Sequence, residues 1–161
     1  MTTHNPVTLT ASPDVPYIDV VREFDAPRAD VYRAYTEPEL VAQWLGPRDL
    51  VMEILEYDVR QGGKWAYVHT DPAGTPYGFS GVFHSIAPDR IVQTFEFDGF
   101  PGHVSLDSAT FIDLGGRTRV EIHSTYQTQE DRDGMVASGM ERGMTEGFER
   151  LDELLASASV R

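Results

Sequence analysis

Histidine is the side chain in this sequence best suited to chemistry near neutral pH, because it can bind a metal or transfer a proton. A credible metal site needs close pairs, at i, i+2 on a strand or i, i+4 on a helix, and no such pair occurs. We therefore expect neither a metal nor another cofactor. The histidines lie in the N-terminal segment and on or beside four different predicted strands: His4, His69, His84, His103 and His123.

His69 is the histidine best placed for contact with a ligand. It shares strand parity with Trp65 and Tyr67, so the three side chains face the same side of a predicted sheet. If those rings point inward, His69 is a polar ligand contact or a general acid–base group. A histidine at the rim of the sheet is the structural alternative.

Acidic residues offer two further arrangements. Asp58 and Arg60 share a strand face and could anchor a ligand carboxylate, but an ion pair that braces the Gly62-Gly63 turn is the simpler interpretation. Glu53 and Glu56 differ in parity, which predicts opposite faces and no catalytic pair. The sequence contains no serine-nucleophile signature and no glycine-rich phosphate loop that opens a helix.

Aromatic residues form same-face pairs along three predicted strands. Such pairs either fill a core or line a pocket. Gly81 lies between two of the rings and favours a pocket, because a small residue leaves volume unfilled. The pairs, with one further ring near a helix-to-strand corner, are Trp65 and Tyr67, Phe79 and Phe83, Phe95 and Phe97, and Trp44.

A small residue stands beside a large one three times near the C-terminus. The period of four predicts a helix with a glycine stripe next to a Met/Phe stripe. Glycine inside a helix costs about 0.5–1 kcal/mol, so we expect a close approach, with the stripe facing a cavity on the sheet and Gly143→Leu filling it. The pairs are Gly139-Met140, Gly143-Met144 and Gly147-Phe148.

Composition narrows the function classes. The 161 residues carry a net charge of −13, which disfavours nucleic acid and anionic membranes as partners. The chain has no cysteine, so disulfides and thiolate chemistry are excluded. The N-terminal sequence lacks the pattern of a signal peptide, and no apolar run is long enough for a membrane span, so a cytoplasmic protein is expected.

The predicted elements define an α+β fold. Residues 1–16 read as a disordered tail, and residues 17–161 as a single domain. A strand over residues 17–24 precedes two short helices, and six strands with hairpin-length links follow from residue 50. A single long helix is predicted from about residue 129 to residue 158. This order, β-α-α-β6-α, favours a curved antiparallel sheet wrapped around the C-terminal helix.

Several segments in this order resemble the family of homologues of the activator of the heat-shock-protein-90 ATPase. The resemblance spans about residues 17–157 and implies the START-like, helix-grip fold, with an apolar-ligand pocket between sheet and helix. It supplies no catalytic residue. The segments are Trp44-Leu45-Gly46-Pro47, Asp58 to Trp65, Gly81-Val82-Phe83, Pro88 with Arg90-Ile91-Val92, and Gly139 to Leu155.

Three functions follow as hypotheses. Binding of a small apolar or aromatic molecule is favoured over catalysis. An aromatase- or cyclase-type enzyme is the alternative, with His69, Gln93 and Tyr67 orienting a polyketide-like substrate. A chaperone-linked interaction module ranks third, because the co-chaperone that names the family has an additional N-terminal domain for which this chain has no room. A homodimer is left open. The predicted ligand-binding residues are Trp44, Trp65, Tyr67, His69, Phe79, Phe83, Gln93, Phe95, Met140, Met144 and Phe148.

Overall fold

The structure, a computed structural model, describes residues 5–157. One antiparallel sheet contains β1 (Thr8–Thr10), β2 (Tyr17–Phe24), β3 (Val51–Tyr57), β4 (Lys64–Thr70), β5 (Pro76–Ala87), β6 (Arg90–Phe97), β7 (Val104–Asp113) and β8 (Thr118–Thr125). The helices are α1 (Arg28–Thr36), α2 (Pro38–Val41), α3 (Gln129–Ala137) and α4 (Met140–Ala156). The predicted helix-grip architecture, with its sheet, paired short helices and C-terminal helical segment, is confirmed.

The strand order across the sheet is β1-β2-β8-β7-β6-β5-β4-β3. The six strands after residue 50 therefore form the predicted meander, in which each strand pairs with the next along the chain. The first long strand instead crosses to the last one, with Tyr17 opposite Thr125 and Phe24 opposite Thr118. This pairing brings the two ends of the domain together and makes β1 and β3 the outer strands.

Bulges curve the sheet. The register shifts between Ile54 and Glu56 and again between Phe83 and Ser85, and such bulges increase local twist and bend. The first bulge also corrects a prediction. Because one extra residue enters the strand, Glu53 pairs with Val68 and Glu56 with Ala66 on the same exposed face, not on opposite faces.

The turn between β3 and β4 needs both of its glycines. Gly62 has φ +80°, and a Cβ on Gly63 would lie 1.9 Å from the Asp58 carbonyl oxygen. The Asp58 carboxylate accepts a hydrogen bond from Arg60 Nε at 2.8 Å, and both side chains are exposed. The predicted ion pair at this corner is confirmed.

Two sequence predictions about the chain ends are wrong in part. Thr8–Thr10 is ordered as β1 and pairs with β2, while Val7 and Leu9 pack against the core, so the predicted disordered tail does not extend over these residues. Residues 1–4 lie outside the described range.

The predicted single C-terminal helix is also wrong: it is interrupted between α3 and α4. Gly139 has φ +88°, a left-handed conformation that ends the α-helical path and that glycine adopts without steric strain. Val136 lies before this break and is exposed.

The core lies on the concave face of the sheet, under α1, α2 and α4. Alternate residues of β2 are buried, as are alternate residues of β4, which is the pattern of a sheet covered on one face. No helix between residues 5 and 157 combines the length and hydropathy that a membrane span requires. The fully buried hydrophobic residues, at 0–1% exposure, are Ile18, Phe24, Val31, Ala34, Val41, Phe83, Phe111, Val120 and Leu151.

Candidate functional site

An aromatic wall covers three neighbouring strands of the concave face. Adjacent rings in the wall have centroids 5.1–5.9 Å apart and planes that cross at 23–38°, so their faces present one nearly continuous surface. The wall consists of Trp65 and Tyr67 on β4, Phe79 on β5, and Phe95 and Phe97 on β6.

Gly81 shapes the inner end of this wall. It lies opposite Trp65 in the β4–β5 ladder, and a Cβ at this position would be 2.6 Å from Trp65 Nε1 and 2.0 Å from the Thr94 carbonyl oxygen. The absence of a side chain lets the indole lie flat over the neighbouring strand. The sequence prediction that this glycine leaves volume unfilled is wrong, because the Trp65 indole occupies that volume.

Exposure increases along the wall. Trp65 and Tyr67 are 2% and 8% exposed, whereas Phe79, Phe95 and Phe97 are half-buried although they face the covered side of the sheet. The helices therefore do not fully cover these rings, and we call the accessible space beside the rings the groove. The wall therefore runs from the core at β4 to an open end at β6.

The inner end of the wall contains buried polar atoms without partners. Among residues 5–157, no group hydrogen-bonds to Trp65 Nε1 or His69 Nδ1. The other indole is different, because Trp44 Nε1 donates to the Ala34 carbonyl at 2.9 Å. An unsatisfied buried donor or acceptor costs about 1–3 kcal/mol, so these two atoms lower the stability of the fold. They are polar positions to which a bound molecule could hydrogen-bond.

His69 is buried, not at the rim of the sheet. It packs edge-on to Tyr67, with ring centroids 5.2 Å apart, and a Cβ on Gly46 would lie 2.6 Å from its Cε1. Burial, together with the nearby Arg150 guanidinium, lowers the pKa of His69 to about 4. The imidazole is therefore neutral at pH 7.

Arg150 fixes the segment against which His69 packs. Its guanidinium donates to the carbonyl oxygens of Gly46 at 3.1 Å and Gln43 at 3.0 Å. Gly46 itself has φ +94°, which favours glycine. The Trp44-Leu45-Gly46-Pro47 segment is thus held between α4 and β4 by backbone contacts.

A polar row crosses the concave face beside the wall. Gln93 on β6 lies opposite Asp107 on β7, which lies opposite Ser124 on β8. The Asp107 carboxylate accepts hydrogen bonds from the hydroxyls of Ser105, at 3.1 Å, and Ser124. Burial raises the pKa of Asp107 to about 6 even though its side chain keeps accessible surface, as expected for a carboxyl in a recess.

Asp107 lies close enough to the wall for its charge to act on a wall residue. The negative charge of Asp107 contributes to raising the pKa of Tyr67, although burial is the larger cause. Tyr67 is on β4 and Asp107 on β7, with two strands between them, so their interaction reflects the curvature of the sheet. The groove therefore has an aromatic part on β4–β6 and a polar part on β6–β8 of one curved face.

Two methionines of the predicted site lie on α4. Met140 and Met144 are half-buried and pack against the core, as predicted for an adaptable apolar surface. The glycine stripe, however, faces elsewhere. A Cβ on Gly143 would meet Pro47 Cδ at 3.7 Å, and one on Gly147 would lie 3.2 Å from the Gly46 nitrogen, so these two glycines face the 44–47 segment and not a cavity on the sheet.

Five of the eleven predicted site residues belong to the buried core: Trp44, Trp65, Tyr67, Phe83 and Phe148, of which only Trp65 and Tyr67 also belong to the wall. Phe83 is 1% exposed and meets Tyr57 edge-on at 5.6 Å. Trp44 and Phe148 stack on each other, with centroids 6.3 Å apart. Of the other predicted residues, His69, Phe79, Gln93 and Phe95 lie along the wall or in the polar row, and Met140 and Met144 lie on α4.

Sequence reasoning missed Asp107, Ser105 and Ser124. A signal was present, because Ser105 and Asp107 share strand parity with Phe111, which is an inward core residue. A polar pair on the apolar side of a strand departs from binary patterning and is worth attention for that reason.

A separate cavity of about 310 Å³ lies near the start of the chain and the outer side of α4. Arg22, which is 1% exposed, forms a bidentate ion pair with Asp152 at 2.7 and 2.6 Å, and its Nε has no partner among residues 5–157. None of the predicted ligand-binding residues lines this cavity. The lining residues are Asn5, Pro6, Val7, Arg22, Thr145 and Glu149.

The remaining histidines of the described chain lie away from the groove. His103 and His123 each contact a carboxylate, Asp131 at 2.8 Å and Asp19 at 2.6 Å respectively, and both are exposed. Within residues 5–157, no three His, Cys, Asp or Glu side chains gather in a way that could hold a metal ion.

An antiparallel sheet curved over a C-terminal helix, with a groove between them, defines the helix-grip class of proteins. Residues 25–156 match the family described as "Activator of Hsp90 ATPase homolog 1-like protein", and the chain belongs to that family. Among curated proteins, none matches this chain.

Solved structures show the same architecture. A protein from Arthrobacter aurescens is 28% identical, with a TM-score of 0.85 and coverage of 96% of this chain and 94% of that one. A Rhodobacter sphaeroides protein is 26% identical, with a TM-score of 0.85 and coverage of 94% and 99%. Protein Ms6760 from Mycobacterium smegmatis, at 24% identity, TM-score 0.84 and coverage of 97% and 100%, supports the fold alone.

Proposed function

We propose that the chain binds a small apolar or aromatic molecule in the groove between the aromatic wall and α4. One observation carries the proposal: rings that face the covered side of the sheet, Phe79 and Phe95 among them, keep accessible surface. Burying apolar surface contributes about 25 cal/mol per Å² of favourable free energy, which the accessible part of these rings does not supply. A ligand that covers the rings would gain this free energy on binding. The methionines of α4 suit ligands of varied shape.

The aromatase or cyclase alternative finds less support. It relies on His69, Gln93 and Tyr67 as orienting and acid–base groups. With its pKa lowered to about 4, His69 is neutral at pH 7, so it offers no imidazolium acid and is a weak base. Burial raises the pKa of Tyr67, which therefore keeps its proton at pH 7. The proposal is therefore binding, and catalysis stays a separate hypothesis.

The test uses a neutral probe, 2-naphthalenemethanol, and the indole N–H signals of the two tryptophans as NMR reporters. We expect the Trp65 signal to shift on titration, because this ring belongs to the wall. The Trp44 signal should move less, since its N–H is bonded to Ala34 in the core. Absence of any Trp65 shift at saturating probe would contradict binding in the groove.

A variant pair locates the probe. Phe95→Ala removes a half-buried ring from the wall, whereas Phe100→Ala removes a 54% exposed ring that stacks on His103 outside it. Losing one stacking surface should weaken probe binding by about tenfold in the first variant. The second should bind like the unaltered protein. Equal affinities in the two variants would overturn the assignment of the wall.

A further inference from the structure

Asp107 is the one carboxylate of the polar row, and its surroundings are unusual for a charged group. Its hydrogen-bond partners are the neutral hydroxyls of Ser105 and Ser124. No Lys, Arg or His among residues 5–157 forms an ion pair with it. A recessed carboxylate with no cation beside it is costly and calls for a reason.

Cations inside the domain are committed elsewhere. Arg22 is held by Asp152 in a bidentate pair, and Arg132 is held by Asp133 and by the Ser12 carbonyl. Neither is paired with Asp107. The fold thus pairs two buried guanidinium groups with other carboxylates and leaves Asp107 without a cation beside it.

Aromatic rings lie close to Asp107 on the same concave face. Phe95 lies on β6 opposite Ser105, one pleat from Asp107, and Tyr67 senses the Asp107 charge across the sheet. Aromatic faces attract cations through their quadrupole, and a carboxylate attracts them by charge. The net charge of −13 raises the local concentration of cations around the whole chain.

We infer that the ligand of the groove carries a protonated amine on an aromatic or apolar frame, and that Asp107 binds this amine. This inference rests on the proposed function, because it assigns a chemical class to the occupant of the same groove. The frame would lie on the wall, while the ammonium group would donate to the free lone pairs of the Asp107 carboxylate.

The test compares three probes that share one ring system: 2-naphthylmethylamine, 2-naphthalenemethanol and 2-naphthoate. Their affinities for the full chain are measured at neutral pH by the Trp65 indole signal. We expect the amine to bind about tenfold more tightly than the alcohol, and the carboxylate to bind more weakly than the alcohol. Equal binding of amine and alcohol would overturn the inference.

Asp107→Asn supplies the second arm and Asp113→Asn the control. Both changes are isosteric and lie on β7, but Asp113 is exposed at the strand end. Asp107→Asn should abolish the preference for the amine over the alcohol, whereas Asp113→Asn should keep that preference. A preference that survives Asp107→Asn would also overturn the inference.

The probes distinguish a wrong amine assignment from a wrong binding site. If the alcohol shifts Trp65 but the amine gains nothing, the groove binds ligands and only the amine assignment is wrong. If none of the three probes shifts Trp65, both the proposed function and the inference are wrong. The comparison among probes uses the unaltered chain, so it decides the matter even if Asp107→Asn fails to fold.

Discussion

His69 and Asp107 are titratable side chains on the same concave face whose pKa values move in opposite directions. The folded-state pKa of His69 is lowered to about 4, so its contribution to stability is complete above the unfolded value near 6.5 and is lost as the pH falls toward about 4. The folded-state pKa of Asp107 is raised from 3.8 to about 6, so its contribution is complete below 3.8 and is lost as the pH rises through about 6.

These opposite signs predict two variants with opposite effects. Replacing His69 with Gln should flatten the loss of unfolding free energy between about pH 6.5 and pH 4, by up to about 3 kcal/mol across the interval. Asp107→Asn should steepen that same loss, because it removes the compensating group. Urea unfolding at several pH values measures both effects.

The control for this experiment is His123→Gln. His123 is exposed and bonded to Asp19 at the surface, so its removal should change the pH dependence much less. If His69→Gln and His123→Gln gave the same pH profile, the burial of His69 would not govern its protonation, and its neutral state at pH 7 would be in doubt.

At the scale of the elements, the glycines of α4 contact a different part of the molecule from the one that their spacing predicted. The period of four correctly predicted a helix and a close approach. It could not tell which neighbour approaches, because that neighbour, the 44–47 segment, is about a hundred residues away in sequence. It also included Gly139, whose left-handed backbone ends one helix and starts the next.

These contacts predict opposite changes in stability for two substitutions one helical turn apart. Gly147→Ala would place a Cβ 3.2 Å from the Gly46 nitrogen and 3.3 Å from the Trp44 carbonyl oxygen, where backbone atoms cannot easily yield. We expect it to lower the unfolding free energy by about 1–3 kcal/mol. Gly143→Ala meets only Pro47 Cδ at 3.7 Å and should raise it by up to about 1 kcal/mol through helix propensity.

Denaturant unfolding of the two variants side by side measures the contrast. Both replace glycine by alanine within α4, so differences in intrinsic propensity cancel. Stabilisation by both would mean that the contact at Gly147 is loose, and destabilisation by both would mean that Gly143 is equally confined. The earlier expectation that Gly143→Leu fills the ligand space loses its basis, since Gly143 faces Pro47.

The sequence was a good guide to strands and a weaker guide to the site. Period-two patterning and turn residues located all six strands of the meander, because each is covered on one face only. The inward parity of Trp65, Tyr67 and His69 was likewise readable. Asp107 was missed because its importance depends on which strands become neighbours, and the bulge at Leu55 reversed a parity argument that assumed a regular strand.

At the scale of the whole molecule, the sheet is open and β3 is an outer strand. Val51 and Leu55 on this strand are 73% and 61% exposed, and the exposed Glu53 and Glu56 lie between and beside them. Charged side chains on an outer strand oppose edge-to-edge pairing with a second chain. The net charge of −13 adds a general repulsion between copies.

We therefore predict that the double variant Glu53→Thr, Glu56→Thr self-associates more than the unaltered chain. Sedimentation velocity at low salt over a range of concentrations measures the effect. The control is Glu39→Thr, Glu141→Thr, which removes the same charge from exposed positions on helices. Equal association of the two variants would show that net charge alone, and not the outer strand, limits pairing. Homodimerisation of the unaltered chain stays a prediction.

The pairing of β2 with β8 also has a consequence in time. Tyr17 leaves the ribosome about a hundred residues before its partner Thr125, a delay on the order of 5–20 s at ordinary rates of synthesis. Strands β3 to β7 can pair during that interval, but α4, which covers the concave side, is made last. The aromatic rings that a ligand would meet in the finished protein are therefore among the last apolar surfaces to be covered on the nascent chain.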